Sequence, residues 1–188
     1  VLLSTFSLYF YLQVRGSLEK EMGRRLVGLA RSAAAEIDPA RVFAFMPGDE
    51  TSRAYRALAE KLRRLAQAND VQRVYVVDVR RQVIFNTEPD SAIGEKMYHL
   101  AGHRVELKRV QQQKAVDSAL FKGVDGKLYK AGYAPLVLDG EVVGTVGVDA
   151  DVEFFDQLHK LRRNLVLFSF FSLLAFAFAA VAFSRRLT

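Results

Sequence analysis

Two apolar runs near the end of the chain carry the side chains best suited to binding a small molecule. In the run EVVGTVGVDA, strand alternation places Thr145 and Asp149 on one face, and the opposite face is wholly apolar. In the run before it, Tyr129 and Tyr133 share a face and offer ring surface together with a hydroxyl group. We therefore predict a ligand face made by these four side chains, with room for a small molecule above Gly147.

Both parts of this prediction have an ordinary structural alternative. The sequence DADVEFF can start a helix, so Asp149 could be its N-cap, and Asp151 is a second candidate for the same position. Tyr129 and Tyr133 could simply pack in the core, as tyrosines commonly do. The sequence leaves these alternatives open.

Two histidines raise the question of a metal site. His99 and His103, in HLAGH, are four residues apart, which would put two metal ligands on one helix face. A zinc-peptidase motif needs glutamate after the first histidine, and this chain has Leu100 there. We therefore expect no metal, and we count Tyr98 and His99 among the candidate ligand contacts.

Arg104 is the candidate for gripping an anionic ligand. A guanidinium binds a carboxylate in two places, so Arg104 would suit a small organic acid. Lys122, near the third predicted strand, is a weaker candidate for the same role. The expected ligand is a small organic acid or amine.

Nothing in the sequence supports catalysis within this chain. It lacks cysteine, a Gly-x-Ser-x-Gly elbow and a phosphate-binding loop, so the corresponding nucleophiles and nucleotide sites are excluded, and we expect no cofactor. The formal net charge of +6 is spread along the chain without a cluster of basic and aromatic residues, so nucleic acid is not an expected partner.

The end of the chain predicts a transmembrane helix. The sequence from Leu165 to Phe183 has no charged residue, and a helix of that length spans about 28 Å at ~1.5 Å per residue. Arginine pairs flank it on both sides. Residues 1–14 are also uncharged but too short to cross alone, so we interpret them as the final part of a first membrane helix.

Between these segments the sequence predicts helices followed by strands. Met22, Leu26, Leu29 and Ala33 recur every three or four residues on a helix that continues from the first membrane segment. They could form a coiled-coil seam with a second chain or pack within their own domain. A second helix is predicted over residues 51–68, and five apolar runs with Asp-Gly turns predict one antiparallel sheet.

The order of elements and the sequences VYVVD (74–78), GYAPL (132–136) and DGEVVGTVGVDA (139–150) resemble a single Cache domain, the PAS-like extracytoplasmic sensor module of bacterial receptors. The resemblance covers roughly residues 15–160. It implies an α+β fold in which a long N-terminal helix packs on a five-stranded antiparallel sheet flanked by transmembrane helices. The final SRRLT is similar to the start of a HAMP linker, which would be cytoplasmic.

The resemblance also implies boundaries and a location. We expect a receptor of the bacterial inner membrane, divided as follows: 1–14, end of membrane helix 1; 15–163, periplasmic or extracellular sensor domain (helices 15–68, sheet 72–150, exit helix 152–163); 164–184, membrane helix 2; 185–188, cytoplasmic linker. Amino-acid-binding Cache domains hold the ligand amine with an aspartate at the position of Asp149, together with an arginine and a tryptophan. This chain has no tryptophan, so an α-amino acid ligand is not expected.

The resulting hypothesis is a small-molecule sensor domain of a membrane receptor that signals as a homodimer. The implied output is a histidine kinase of a two-component system, with a chemoreceptor or a diguanylate cyclase as alternatives. Ligand binding would shift the last strand and, through it, membrane helix 2. The rival hypothesis is a ligand-free dimerisation or partner-docking module, whose interior would be filled by Tyr129, Tyr133 and Phe85.

Overall fold

The structure is a computed structural model that describes residues 2–88, 91–123, 125–152 and 167. The chain divides into two compact units, one formed by Lys20–Val152 and the other by its two ends, 1–19 and 153–188. The candidate binding residues all lie in the first unit. The predicted exit helix after residue 152, membrane helix 2 and the linker at 185–188 fall outside the described residues apart from Leu167.

The described residues contain both predicted helices, the long N-terminal one and the one over 51–68, together with shorter helices. They are α1 (Leu2–Glu36), α2 (Pro39–Val42), α3 (Arg53–Ala68) and α4 (Arg104–Gln111), with 3-10 helices at Asp49–Thr51 and Tyr98–Gly102. The Ser52 hydroxyl accepts a hydrogen bond from the Tyr55 amide and so caps α3. Within the described part of the chain, no helix has both the length and the apolarity needed to cross a bilayer.

The strands form one antiparallel sheet. They are β1 (Arg73–Asp78), β2 (Val83–Asn86), β3 (Val116–Asp117), β4 (Phe121–Lys122), β5 (Leu128–Leu138) and β6 (Glu141–Asp151), in the spatial order β2-β1-β6-β5-β3, with β4 also paired to β5. The predicted Asp-Gly turn joins β5 to β6, and both Asp139 and Gly140 have positive φ, of 51° and 84°.

The prediction of five strands is wrong in one respect, because the third run is broken into β3 and β4. Asp117 pairs with Gly132 and Phe121 pairs with Tyr129, so one extra residue has to be accommodated on the short strands. The Ser118 hydroxyl accepts the Ala131 amide at 2.9 Å in place of a backbone carbonyl. The Ser118 carbonyl instead accepts a hydrogen bond from the buried Lys130 ammonium group at 2.6 Å.

The two faces of the sheet bury different cores. On one face Val146, Val148 and Ala150 belong to an apolar cluster that includes Leu26 and Ala33 of α1 and several residues of α3. This confirms that the apolar face of the last strand packs on the long helix. Leu26 and Ala33 are 1% and 0% exposed, so the predicted seam packs within its own domain.

The helix lies directly against the sheet backbone where β5 has a glycine. A Cβ atom at Gly132 would overlap the backbone of Leu26, and one at Gly23 would overlap the Asp117 carboxylate. Asp117 is itself paired with Lys130 at 2.9 Å beneath α1. Small residues thus allow a closer approach than side-chain packing would permit.

Candidate functional site

Asp149 is at the centre of a buried polar cluster on the other face of the sheet. β1 and β6 are adjacent and their register sets Arg73 opposite Asp149. The Arg73 guanidinium donates from Nε and Nη2 to Oδ2 of Asp149, at 2.8 and 2.7 Å. The Asp149 side chain is fully buried, so this ion pair supplies the partner that a buried carboxylate requires.

Asp149 therefore does not cap a helix, and that alternative is wrong. The residue lies inside β6, two positions before the strand ends at Asp151. Its second oxygen, Oδ1, accepts a hydrogen bond from the Tyr75 hydroxyl at 3.1 Å. Both carboxylate oxygens are engaged by side chains of β1.

The room predicted above Gly147 is taken by a side chain. Tyr75 pairs with Gly147 across β1 and β6, and a Cβ atom at residue 147 would overlap the Tyr75 ring. The glycine is needed so that Tyr75 can lie flat over β6 with its hydroxyl at Asp149. The prediction that the glycine leaves space for a ligand is wrong.

Two histidines and Phe121 cover this cluster. The rings of His99 and Phe121 are parallel within 3°, with centroids 5.9 Å apart, and His99 Nε2 is 3.7 Å from Asp149 Oδ2. Nδ1 of His103 is 2.5 Å from the hydroxyl of the buried Tyr133. His99 is in the 3-10 helix and His103 follows it, with their rings 6.2 Å apart, so the predicted common helix face is absent from this described segment.

Burial sets the protonation states of the cluster. It lowers the pKa of His99 from 6.5 to about 4 despite the nearby Asp149 carboxylate, and it also lowers the pKa of His103. Burial and Asp149 together raise the pKa of Tyr75 well above its usual range. Burial, the largest single cause, would lower the pKa of Arg73, but Asp149, Tyr75 and Glu88 together raise it. At neutral pH His99 is uncharged and Arg73 is a cation.

Two cavities open above the cluster and share Arg73, Glu88 and His99 in their walls. The smaller, of about 310 Å³, is also lined by Gln72, Phe121, Gly123, Asp125 and Tyr129. The larger, of about 600 Å³, is also lined by Val83, Asn86, Ser91, Glu95, Lys96, Met97 and Tyr98. Volumes of this size are typical of sites for small molecules.

The predicted site residues divide according to these walls. Tyr129 lines the smaller cavity, Tyr98 the larger and His99 both. Asp149 lies behind Arg73, while Tyr133 and Thr145 are buried at 0% and 7% exposure and line neither cavity. Tyr133 thus follows the core-packing alternative.

The cation that reaches this cluster is Arg73, which the sequence analysis missed. Arg104 is exposed at the start of α4 and is absent from both cavity walls, and Lys122 is exposed at the end of β4. Arg73 also pairs with Glu88, Nη1 to Oε2, at 3.1 Å. Arg73 is the first residue of β1, and this position could have identified it. Its proximity to Asp149, however, could be recognised only once the register between β1 and β6 was known.

Within the described residues, no group of three or more histidine, aspartate or glutamate side chains is arranged to hold a metal ion. His99 stacks on Phe121 and lies near Asp149, and His103 is hydrogen-bonded to Tyr133. The cluster can hold a polar or charged small molecule through hydrogen bonds and ring contacts.

No family model matches the chain, and no curated protein matches its sequence. Solved structures do match. The sensory domain of the Campylobacter jejuni chemoreceptor Tlp3 with isoleucine bound superposes with a TM-score of 0.58 at 12% identity, over 79% of this chain and 59% of that one. This chain therefore shares its fold with that sensory domain.

Two further sensor domains of known structure share this fold. The sensor domain of the V. cholerae histidine kinase DctB matches with a TM-score of 0.53 at 12% identity, over 82% of this chain and 57% of that one. The E. coli DcuS sensor domain matches with a TM-score of 0.51 at 12% identity, over 76% of this chain and 97% of that one. This chain spans about three fifths of the Tlp3 and DctB domains. The shared fold confirms the α+β prediction.

Proposed function

We propose that this chain is the extracytoplasmic small-molecule sensor domain of a membrane signalling receptor. The observation that carries the proposal is a cavity of about 310 Å³ whose wall contains Arg73, itself ion-paired to the fully buried Asp149. Burying a charge is costly unless it is partnered, so a charged network beneath an open cavity favours recognition of a polar ligand.

The interior argues against the ligand-free alternative. That alternative expects Tyr129, Tyr133 and Phe85 to fill one sealed space. Phe85 instead belongs to the helix-side core, and Tyr133 belongs to the core on the opposite face. Tyr129 lines the open cavity.

A thermal-shift screen of the whole chain in detergent micelles tests sensing. Organic acids, amines and amino acids are added singly, and a true ligand should raise the melting temperature in proportion to the logarithm of its concentration. The same compound should stabilise an Arg73→Gln variant less. Stabilisation by no compound would reject the sensor proposal and favour the docking module.

We propose that residues 1–14 and 164–184 are membrane segments, that 15–163 lies outside the inner membrane and that 185–188 is cytoplasmic. The uncharged sequence from Leu165 to Phe183 supports this arrangement. Because the chain contains no cysteine, single introduced cysteines report sidedness cleanly. In intact cells an impermeant maleimide should label Arg80→Cys but not Thr188→Cys, and the reverse pattern would invert the topology.

We propose a histidine kinase as the output of the full-length receptor, working as a homodimer. The fold shared with the DctB sensor domain supports the kinase, and the fold shared with Tlp3 equally supports a chemoreceptor. A diguanylate cyclase is the third candidate. Incubating the full-length receptor with ATP should give acid-labile phosphohistidine; its absence, with methylation or cyclic-dinucleotide synthesis instead, would identify another output.

The proposed signal passes through β6, which carries Asp149 and ends at Asp151. A ligand can bias the output only by its difference in affinity for the two signalling states. Arg73→Gln, which removes the partner that holds Asp149 and Glu88 in place, should therefore reduce both ligand binding and the ligand-dependent change in output.

A further inference from the structure

The charges around the smaller cavity are unbalanced. Its described wall contains the carboxylates of Glu88 and Asp125 and one guanidinium, that of Arg73, and the Asp149 carboxylate lies directly behind it. His99 adds no charge at neutral pH, because burial lowers its pKa to about 4. The described wall thus holds two carboxylates and one guanidinium, and the Asp149 carboxylate behind it adds to the excess of negative charge.

Arg73 is already committed to two of these carboxylates. Nε and Nη2 bind Asp149 at 2.8 and 2.7 Å, and Nη1 binds Glu88 at 3.1 Å. A ligand carboxylate would have to separate one of these pairs and would leave a carboxylate without its partner. The arginine therefore holds Asp149 and Glu88 in place rather than offering a free clamp for an anion.

Asp125 contributes a carboxylate at the mouth of the cavity. The Tyr129 hydroxyl donates to its Oδ2 at 2.7 Å, and this bond lowers the pKa of Asp125. Lys127, two residues on, also lowers the pKa of Asp125, but its ammonium group is paired with Asp151 at 3.2 Å and it is not part of the described wall. Asp125 stays ionised on the side of the cavity where the rings lie.

Three aromatic rings, those of His99, Phe121 and Tyr129, also line the cavity. Phe121 lies between His99 and Tyr129, with ring centroids 5.9 and 6.0 Å away. Ring faces attract ammonium groups through their quadrupole and cover alkyl chains by burial. Carboxylates beside aromatic rings in one cavity are a combination that suits an organic cation.

We propose that the smaller cavity takes a small organic ammonium ion that lacks a carboxylate. Its ammonium group binds near Glu88 and Asp125, and its alkyl part lies against Phe121 and Tyr129. This inference rests on the proposed sensory function and narrows its ligand class, since organic acids and zwitterions are disfavoured by the same charges.

Isothermal titration of the whole chain in detergent micelles tests the proposal with matched probes. We expect n-butylamine or choline to bind, and butyrate and L-valine to bind at least about tenfold more weakly. Binding of the ammonium probe should weaken as ionic strength rises.

Two variants locate the binding. Glu88→Gln should weaken the ammonium probe by about tenfold, because it removes one carboxylate from the wall. Glu141→Gln is the matched control, since Glu141 is exposed at the opposite end of β6, and it should leave affinity unchanged. Phe121→Leu should also weaken binding by removing a ring face while retaining bulk.

The outcomes separate this proposal from the sensory one. Tighter binding of butyrate or L-valine, reduced by Arg73→Gln, would overturn the ammonium class and leave sensing intact. Binding of no probe, together with no stabilisation by any compound in the wider screen, would overturn both. Ammonium binding unaffected by both Glu88→Gln and Phe121→Leu would overturn the assignment to this cavity.

Discussion

On the helix-facing side of the sheet, Val148 packs in an apolar cluster with Leu26 of α1, whereas Asp149, the next residue of the same strand, forms an ion pair with Arg73 on the other side. The first face is stabilised mainly by burial of apolar surface, and its buried charge, that of Lys130, is paired with Asp117 beneath α1. The second keeps a charged network under open cavities. One strand therefore carries apolar packing and a charged network on alternate residues, and mutations on the two faces should differ in their effect on ligand binding.

Removing the carboxylate at the centre of the polar face should have the largest effect. Asp149→Ala leaves Arg73 and the Tyr75 hydroxyl without their partner and should lower the free energy of unfolding by about 4 kcal/mol. Chemical denaturation of the whole chain measures this loss. The double variant Asp149→Ala, Arg73→Leu should recover part of it, and strictly additive losses would contradict the pairing.

A cavity in the apolar face should cost nearly as much but should spare recognition. Leu26→Ala removes a side chain that is 1% exposed and should lower the free energy of unfolding by about 3 kcal/mol. The affinity for n-butylamine should remain within twofold of the parent chain, roughly 0.4 kcal/mol. A larger drop in affinity would mean that the two faces are not independent.

Acid should lower the free energy of unfolding of the chain through His99, a partly buried residue of the polar face. The folded chain protonates His99 only near pH 4, whereas an unfolded chain does so near pH 6.5, so unfolding takes up a proton between these values. Stability is fully present above pH 6.5 and falls as pH is lowered towards 4, by on the order of 2 kcal/mol from this group after allowance for solvent. His99→Gln should flatten the profile, leaving a smaller slope from His103. An unchanged profile would refute the assignment.

The smallest effect is expected at the arginine that the sequence favoured. Arg104 is exposed and lines neither cavity, so Arg104→Gln should change the free energy of unfolding by less than about 0.5 kcal/mol. Titration with n-butylamine should give the parent affinity. A clear loss of binding would move the ligand site towards α4.

Much of the fold was predictable because the patterns that specify strands and turns involve residues close together in the sequence. Alternation in EVVGTVGVDA correctly separated the apolar face from the face of Asp149, and Asp139-Gly140 correctly located the hairpin. The break between β3 and β4 escaped prediction because it depends on Ser118 and Lys130, whose contacts become visible only when β3 and β5 are side by side.

The site was less predictable for the same reason. Tyr129, His99 and Tyr98 were identified from residue type and do line the cavities. Arg73 is 76 residues from Asp149 in sequence, and strand register alone brings them together. The space above Gly147 was misassigned because nothing local indicates that Tyr75 fills it.

The contact between α1 and β5 at Gly132 has a mechanical consequence. Backbone meets backbone there, with no pliable side chain between Leu26 and the strand to absorb a displacement. This contact should be rigid, so a small tilt of β5 should be accompanied by an equal tilt of the turns of α1 around Leu26. A larger residue at position 132 would push α1 away from β5 without changing the side chains on the opposite face of the sheet.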